Sequence, residues 1–182
     1  SIEGAASLIA ADAGIDLVIV ATGRLHAPSL QPEKSGRALE AAALNEAFAI
    51  NTIGPALVAK RMLPLLPRNR RTVFAVLSAR VGSISDNRLG GWHSYRASKA
   101  ALNMLVRTFA IEQARTHPQT VCVALHPGTV DTRLSKPFQS GVATEKLFTP
   151  AHAASSLLAT LDALTPAQSG RLFAWNGEEI AP

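Results

Sequence analysis

Tyr95 and Lys99 lie four residues apart in the run Ser94-Tyr95-Arg96-Ala97-Ser98-Lys99. On a helix that spacing puts both side chains on one face. A free phenol titrates near pKa ~10, too high for proton transfer at neutral pH. An ammonium group beside it favours the phenolate and is expected to lower that value. A helix N-terminus adds positive potential. Such a tyrosine can give a proton to a carbonyl oxygen, or take one from an alcohol. Taken alone, the pair reads equally as a half-buried tyrosine resting on the aliphatic stem of a lysine.

Two other groups carry the same suggestion. In Asn51-Thr52-Ile53-Gly54-Pro55 the proline has no N–H, so a helix through it loses the bond from residue 55 to the Asn51 carbonyl. The helix should kink there and free that carbonyl, which can hold a water in a proton relay; otherwise the pair merely bends the helix around the core. In His126-Pro127-Gly128-Thr129-Val130-Asp131-Thr132, Pro-Gly turns the chain sharply. The N–H groups that follow and the Thr132 hydroxyl can face a bound dinucleotide, or the segment is an ordinary turn.

The elements that must position these residues are readable. Apolar runs at 16–21, 72–78, 121–126 and 172–175 read as strands, and the first three have almost no polar residue in the middle. That is the pattern of strands buried on both faces of a parallel sheet. Helical patterns cover 36–66, 94–116 and 150–164, with Pro150 suited to a first turn. Residues 2–13 read as a helix ending near Gly14, a suitable C-cap. This alternation implies an α/β doubly wound, Rossmann-like parallel sheet with right-handed crossovers. Ligands of such sheets sit beyond the strand C-termini, here residues 21–26, 78–93 and 126–137.

Composition narrows the class. With 182 residues, 47% hydrophobic and 17% charged, the chain suits one globular domain, 1–182, rather than a disordered tail. No apolar run approaches the ~20 residues of a membrane helix, and no signal peptide opens the chain. The single cysteine, Cys122, reads as a packed thiol in a reducing, cytoplasmic setting. No His/Cys/Asp/Glu spacing suggests a metal site. The net charge of +5 is densest at Arg68-Asn69-Arg70-Arg71, but aromatics are only 5% and the arginines follow a proline. A solvated turn is favoured there over nucleic-acid binding.

Asn51, Ser78, Tyr95-x-x-x-Lys99, Pro127-Gly128 with Val130 and Thr132, and Ser169-Gly170 occur in the order and spacing of the short-chain dehydrogenase/reductase family. The chain resembles that family over essentially its whole length. The stretch from Gly82 to Met104 is similar to its C-factor-like, carbonyl-reductase-like subgroup. The resemblance implies an NAD(P)-dependent oxidoreductase that moves hydride to or from a small carbonyl or alcohol substrate. Tyr95 is then the acid/base, and Lys99 holds the nicotinamide ribose and tunes the phenol. Asn51 supports the relay water, and Ser78 polarises the carbonyl. Ala21, Gly23, Pro127, Gly128, Val130 and Thr132 would contact the cofactor, NAD or NADP. Residues 133–149 form a substrate lid, and the helices at 36–66 and 94–116 pair copies into a homo-oligomer.

Three departures qualify the resemblance. The family's opening strand and T-G-x-x-x-G-x-G loop are missing, so the sheet is read as incomplete at its N-terminus. Roughly 60–70 residues are absent if a βαβ unit takes about 30. Without that loop the pyrophosphate loses a helix N-terminus and NAD(P) binding by this chain alone should be weak. The strand at 16–21 should expose an edge that invites association. The second departure is Val20-Ala21-Thr22-Gly23 where the family has Asn-Asn-Ala-Gly. The third is Ser78-Ala79 where it has Ser-Ser, the second being the one that acts. An ungapped match therefore puts Ala79 in the acting position and leaves Ser78 or Ser83 as the hydroxyl. A non-catalytic, C-factor-like signalling or scaffold protein that keeps the fold is the alternative.

Overall fold

The computed structural model describes residues 1–10, 14–27 and 31–182. Five strands form one sheet in the order β1 (Leu17–Val20), β2 (Thr72–Leu77), β3 (Thr120–His126), β6 (Leu172–Ala174), β7 (Glu179–Ile180). β1, β2, β3 and β6 run parallel, and β7 returns antiparallel to β6. Residues that alternate along a strand face opposite sides, and here both sides are covered. On one side Val18, Val20, Phe74, Val76, Cys122 and Ala124 pack on Ala59, Met62, Leu102 and Val106. These last four lie on α3 (Gly54–Met62) and α4 (His93–Thr116). On the other side Val73, Ala75, Val121, Val123 and Phe173 pack on Leu157 and Leu161 of α5 (Pro150–Ala163). The apolar strand runs are thus the two faces of a three-layer sandwich, as the sequence implied.

Among the described residues β1 pairs with β2 alone. α5 does not reach it, so Leu17 and Ile19 remain 39% and 42% exposed. The edge anticipated at 16–21 is therefore open in backbone and in side chains.

The helical pattern at 36–66 is not one helix. It divides into a 3-10 turn (Gly36–Ala38), α2 (Ala41–Phe48), a π-turn (Ala49–Ile53), α3, and a second 3-10 turn (Leu63–Leu65). The kink expected at Pro55 is replaced by the wide turn, in which the Gly54 amide reaches back to the Ala49 carbonyl. The helix accommodates the missing proline donor by taking in an extra residue. α1 spans Ile2–Ala10; the end expected near Gly14 falls partly on 11–13, outside the described residues. Three short strands escaped the sequence reading: β7, and the parallel pair β4 (Thr129–Val130) with β5 (Leu147–Phe148).

The arginine turn after α3 has intramolecular partners. Arg70 pairs with Asp16 at 2.6 Å. Arg71 donates to the Leu161 and Leu164 carbonyls at the C-terminus of α5, where a cation also suits the helix dipole. Cys122 is fully buried, and burial pushes its thiol up to about 12. No described helix is long and apolar enough to cross a membrane.

Candidate active site

The C-terminal ends of β1, β2 and β3 open onto one cavity of about 590 Å³. Ala21 and Gly23 line it from β1's side, Ser78 and Ala79 from β2's, and His126, Pro127, Gly128, Val130 and Thr132 from β3's. Tyr95 and Lys99 enter it from the first two turns of α4. Nine of the sequence-derived positions meet there; Asn51 stands just behind.

Asn51 is completely buried in the wide turn between α2 and α3. Its side-chain oxygen accepts from the Arg24 amide at 2.7 Å. Its NH₂ donates to the Arg24 carbonyl at 2.9 Å and to the Ser98 hydroxyl at 3.0 Å. One amide therefore satisfies both backbone groups of Arg24 and ties the post-β1 loop to α4. A β-carbon built on Gly23 would stand 3.7 Å from the Lys99 ammonium and 3.8 Å from the Asn51 oxygen. Loop, wide turn and helix meet at that point.

Lys99 is 2% exposed and donates to the Leu77 carbonyl at 2.7 Å. Burial brings its pKa down to about 8. Tyr95, 8% exposed, lies with its ring centre 5.8 Å from that ammonium. Burial pushes the phenol up to about 12, opposite to the lowering expected from the lysine. The reason is physical: taking the phenolate out of water costs more than the cation returns at this separation. The phenol is therefore protonated at neutral pH.

The lysine's burial has a measurable signature. Its folded pKa of about 8 lies below the ordinary 10.5. The charged form is therefore disfavoured in the fold, and roughly 3 kcal/mol of stability is forfeited wherever both states are protonated. That cost is full below pH ~8 and fades as the pH rises toward the unfolded value. Lys99→Met is accordingly expected to melt higher than the parent near neutral pH. Calorimetry should find the advantage shrinking as the pH is raised from about 8 to 10.

The serine positions differ from one another. The Ser78 hydroxyl donates to the Asn103 side chain at 2.7 Å, drawn toward α4. Ser83 is buried and accepts from the Asp86 amide at 3.1 Å, closing its own turn. Ala79 lines the cavity with a methyl group. His126 also lines it. Burial, aided by Arg80, brings its imidazole down to about 4, so it is neutral at pH 7, and its buried Nδ1 has no partner among the described residues.

The Pro127–Gly128 turn depends on glycine. Gly128 has φ +76, and a β-carbon there would come within 2.6 Å of Phe148 and 3.2 Å of Trp175. These two rings meet edge-on at 4.6 Å. The β4–β5 pair brings Phe148 beneath the turn. Gly82 answers a different need: a β-carbon there would stand 2.8 Å from the β-carbon of Lys99. The turn after β2 can lie against α4 at the lysine only because it carries no side chain.

Glu33 was not visible to sequence reasoning, since its partner is sixty-one residues away. Its carboxylate accepts from the Ser94 hydroxyl, and from the Ser94 amide at 3.2 Å, capping the N-terminus of α4. Burial alone would raise its pKa; the Ser94 hydrogen bonds and nearby His93 outweigh this and hold it below the usual carboxylate value. A depressed carboxylate stabilises the fold above its unfolded pKa and ceases to do so as the pH falls through its folded one. Glu33→Gln is expected to cost about 1–2 kcal/mol in denaturant unfolding at pH 7. The deficit should vanish at low pH.

A parallel sheet with a cavity at its carboxyl rim is the arrangement in which doubly wound folds hold nucleotide ligands. The model of the enoyl-(acyl carrier protein) reductase family matches residues 2–164. The chain belongs to the short-chain dehydrogenase/reductase family. Among curated proteins it is similar to C-signal of Myxococcus xanthus, at 37% identity over 73% of this chain and 75% of that protein. It is also similar to 1-hydroxy-2-glutathionyl-2-methyl-3-butene dehydrogenase of Rhodococcus sp. (strain AD45), 39% identical over 67% of this chain and 51% of that enzyme. The chain thus spans about half of the Rhodococcus protein. Among solved structures, the NADPH-bound carbonyl reductase from chicken fatty liver superposes with a TM-score of 0.81 at 28% identity. That match covers all of this chain and 73% of the other.

Proposed function

We propose that this chain supplies the catalytic and substrate-binding part of an NAD(P)-dependent oxidoreductase that reduces small carbonyl compounds or oxidises the corresponding alcohols. The observation that carries this reading is the convergence of Gly23, Asn51, Lys99, Tyr95 and the Pro127–Gly128 turn at one cavity on the sheet's rim. The fit to a nicotinamide cofactor rests on the Lys99 ammonium. One of its N–H groups goes to the Leu77 carbonyl. An ammonium has three donors, and the others suit ribose hydroxyls. Backbone groups at Ala21 and Gly23, the Pro127–Gly128 turn, Val130 and Thr132 would hold the rest. The cofactor supplies or accepts hydride.

Tyr95, protonated at neutral pH, gives its proton to the carbonyl oxygen in the reductive direction. Lys99 holds the ribose and favours the phenolate left behind. Asn51 fixes the loop and helix that place them, and supports the relay water. Ser78 reaches the substrate oxygen only by leaving Asn103. Residues 133–149 act as a lid, since Leu134, Ser135, Phe138 and Val142 line the cavity's outer side. Exposed Ile53, Leu57, Met104 and Ile111 support pairing of copies through the helices at 36–66 and 94–116.

A second reading, a non-catalytic signalling or scaffold protein, is favoured by the methyl group of Ala79 at the cavity wall. It is also favoured by the likeness to C-signal. Oxidation of NADPH and NADH by the complete protein over a panel of aldehydes and ketones separates the two. Turnover that depends on Tyr95 supports the enzyme; cofactor binding without turnover of any carbonyl compound supports the second reading.

A further inference from the structure

Gly90, Gly91 and Trp92 have φ of 63°, 66° and 51°, three left-handed residues in succession. Trp92 is the sole non-glycine residue with positive φ among those described. A bulky residue in that region is strained by about 1–2 kcal/mol and stays only where its surroundings hold it. Here the Trp92 amide donates to the Glu33 carbonyl at 2.5 Å, and its carbonyl accepts from Arg96 at 2.8 Å. The Arg96 guanidinium also donates to the Gly91 carbonyl at 3.0 Å.

The strain aims the indole at the cavity. Its ring centre stands 6.3 Å from that of Tyr95, edge-on, and 4.9 Å from that of Phe138. Phe138 belongs to the segment 133–149 and meets His26 edge-on at 5.7 Å. Trp92 and Phe138 both line the cavity. We infer that Trp92, clasped to Phe138, is the specificity-determining residue of this site and selects flat, uncharged aromatic carbonyl compounds. The inference rests on the oxidoreductase reading and adds the substrate class to it.

Two features point that way. A compound that turns its carbonyl to Tyr95 lays its remaining body along the indole, one helical turn away. Aromatic pairs gain about 0.5–1.5 kcal/mol beyond their buried area, which an aliphatic ring of the same size does not. Charge is the second feature. No described carboxylate lines the cavity, and its two cations are already engaged. Arg80 bridges Asp86 at 3.2 Å and Glu178 at 3.6 Å, and Lys99 holds the Leu77 carbonyl. A cationic substrate would find no carboxylate there, and an anionic one would have to compete with the cofactor ribose for the Lys99 ammonium.

The test compares acetophenone, cyclohexyl methyl ketone and benzoylformate with the complete protein. Acetophenone is expected to exceed the cyclohexyl ketone about tenfold in kcat/KM, the ratio that 1.4 kcal/mol of ring contact would give. Benzoylformate should trail both. Trp92→Leu should bring the ratio toward one through KM rather than kcat. Phe138→Leu, which leaves the left-handed backbone alone, should do the same if the first variant fails to fold. Isothermal titration of the two ketones needs no turnover. Selective binding of acetophenone without any reduction would remove the oxidoreductase reading and leave the aromatic pocket standing. Equal affinities, or a ratio unmoved by Phe138→Leu, would overturn this proposal whatever the activity.

Discussion

Tyr95→Phe is expected to lower kcat/KM for NAD(P)H-linked carbonyl reduction by about 10²–10⁴-fold, the usual range for losing a positioned general acid. The fold should survive the change. Among the described residues the phenol oxygen makes no hydrogen bond that the variant would break, and the ring keeps its contact with Trp92. An unchanged melting temperature with collapsed turnover is therefore the expected pair of results. Turnover within a few-fold of the parent would remove the tyrosine from its assigned role. The pH dependence sharpens the test. A phenol held near pKa 12 is fully protonated at neutral pH, so the proton-donating form is always populated while the phenolate base is scarce. Reduction should change little with pH between 6 and 8, while oxidation of the matching alcohol should accelerate as phenolate becomes accessible. Both directions are read in the same assay by following the nicotinamide.

Ala79→Ser should produce the second large effect, and in the opposite sense. The wall of the cavity carries a methyl group where the family's pattern has a hydroxyl, and the neighbouring Ser78 hydroxyl is held by Asn103. A single donor aimed at a developing oxyanion is worth about 10²–10³-fold in other enzymes. A newly introduced hydroxyl has no surrounding shell tuned to it, so a rise of roughly tenfold in kcat is the expectation. Ala79 is extended, with φ −154° and ψ 149°, a conformation serine adopts freely. Its turn should therefore be undisturbed. If the variant is no faster while Asn103→Ala is faster, then Ser78, released from its bond to Asn103, polarises the carbonyl. If neither change matters, the reaction proceeds without a hydroxyl there.

The sequence displayed the parts of this fold that follow from strong local pattern. β2 and β3 are apolar throughout because both of their faces are covered, and that is visible residue by residue. The long helical stretch at 36–66 was overread, since helical periodicity persists across the 3-10 and π segments that divide it. A two-residue strand such as β4 or β5 has no period to detect. Some candidate residues, Ala21, Gly23, Ser78, Pro127 and Gly128, were legible because they follow strands, and Tyr95, Lys99 and Asn51 by their helical spacing and the proline after Asn51. Their partnerships were not. Ser78 meets Asn103 only through the docking of α4 on the sheet, and Glu33 meets Ser94 only through the path of a loop. Burial reversed the expected direction of the phenol's titration because adjacency on a helix says nothing of how much water is excluded. Trp92 gave no signal at all, since its left-handed backbone is what one would assign to glycine alone.

The wide turn at Ala49–Ile53 makes this stretch intolerant of changes in length. Each residue of a helix advances about 100° around the axis. A further residue inserted here, beyond the one the wide turn already absorbs, would swivel everything after it by that angle. Ala59 and Met62 would leave the sheet, and Lys60 or Arg61 would be carried toward it. Deleting one residue would let the turn close into ordinary α-helix and pull the Asn51 amide away from Arg24. Homologous chains should therefore keep the residue count of this segment and the amide at Asn51, and vary more freely at its exposed positions such as Ile53.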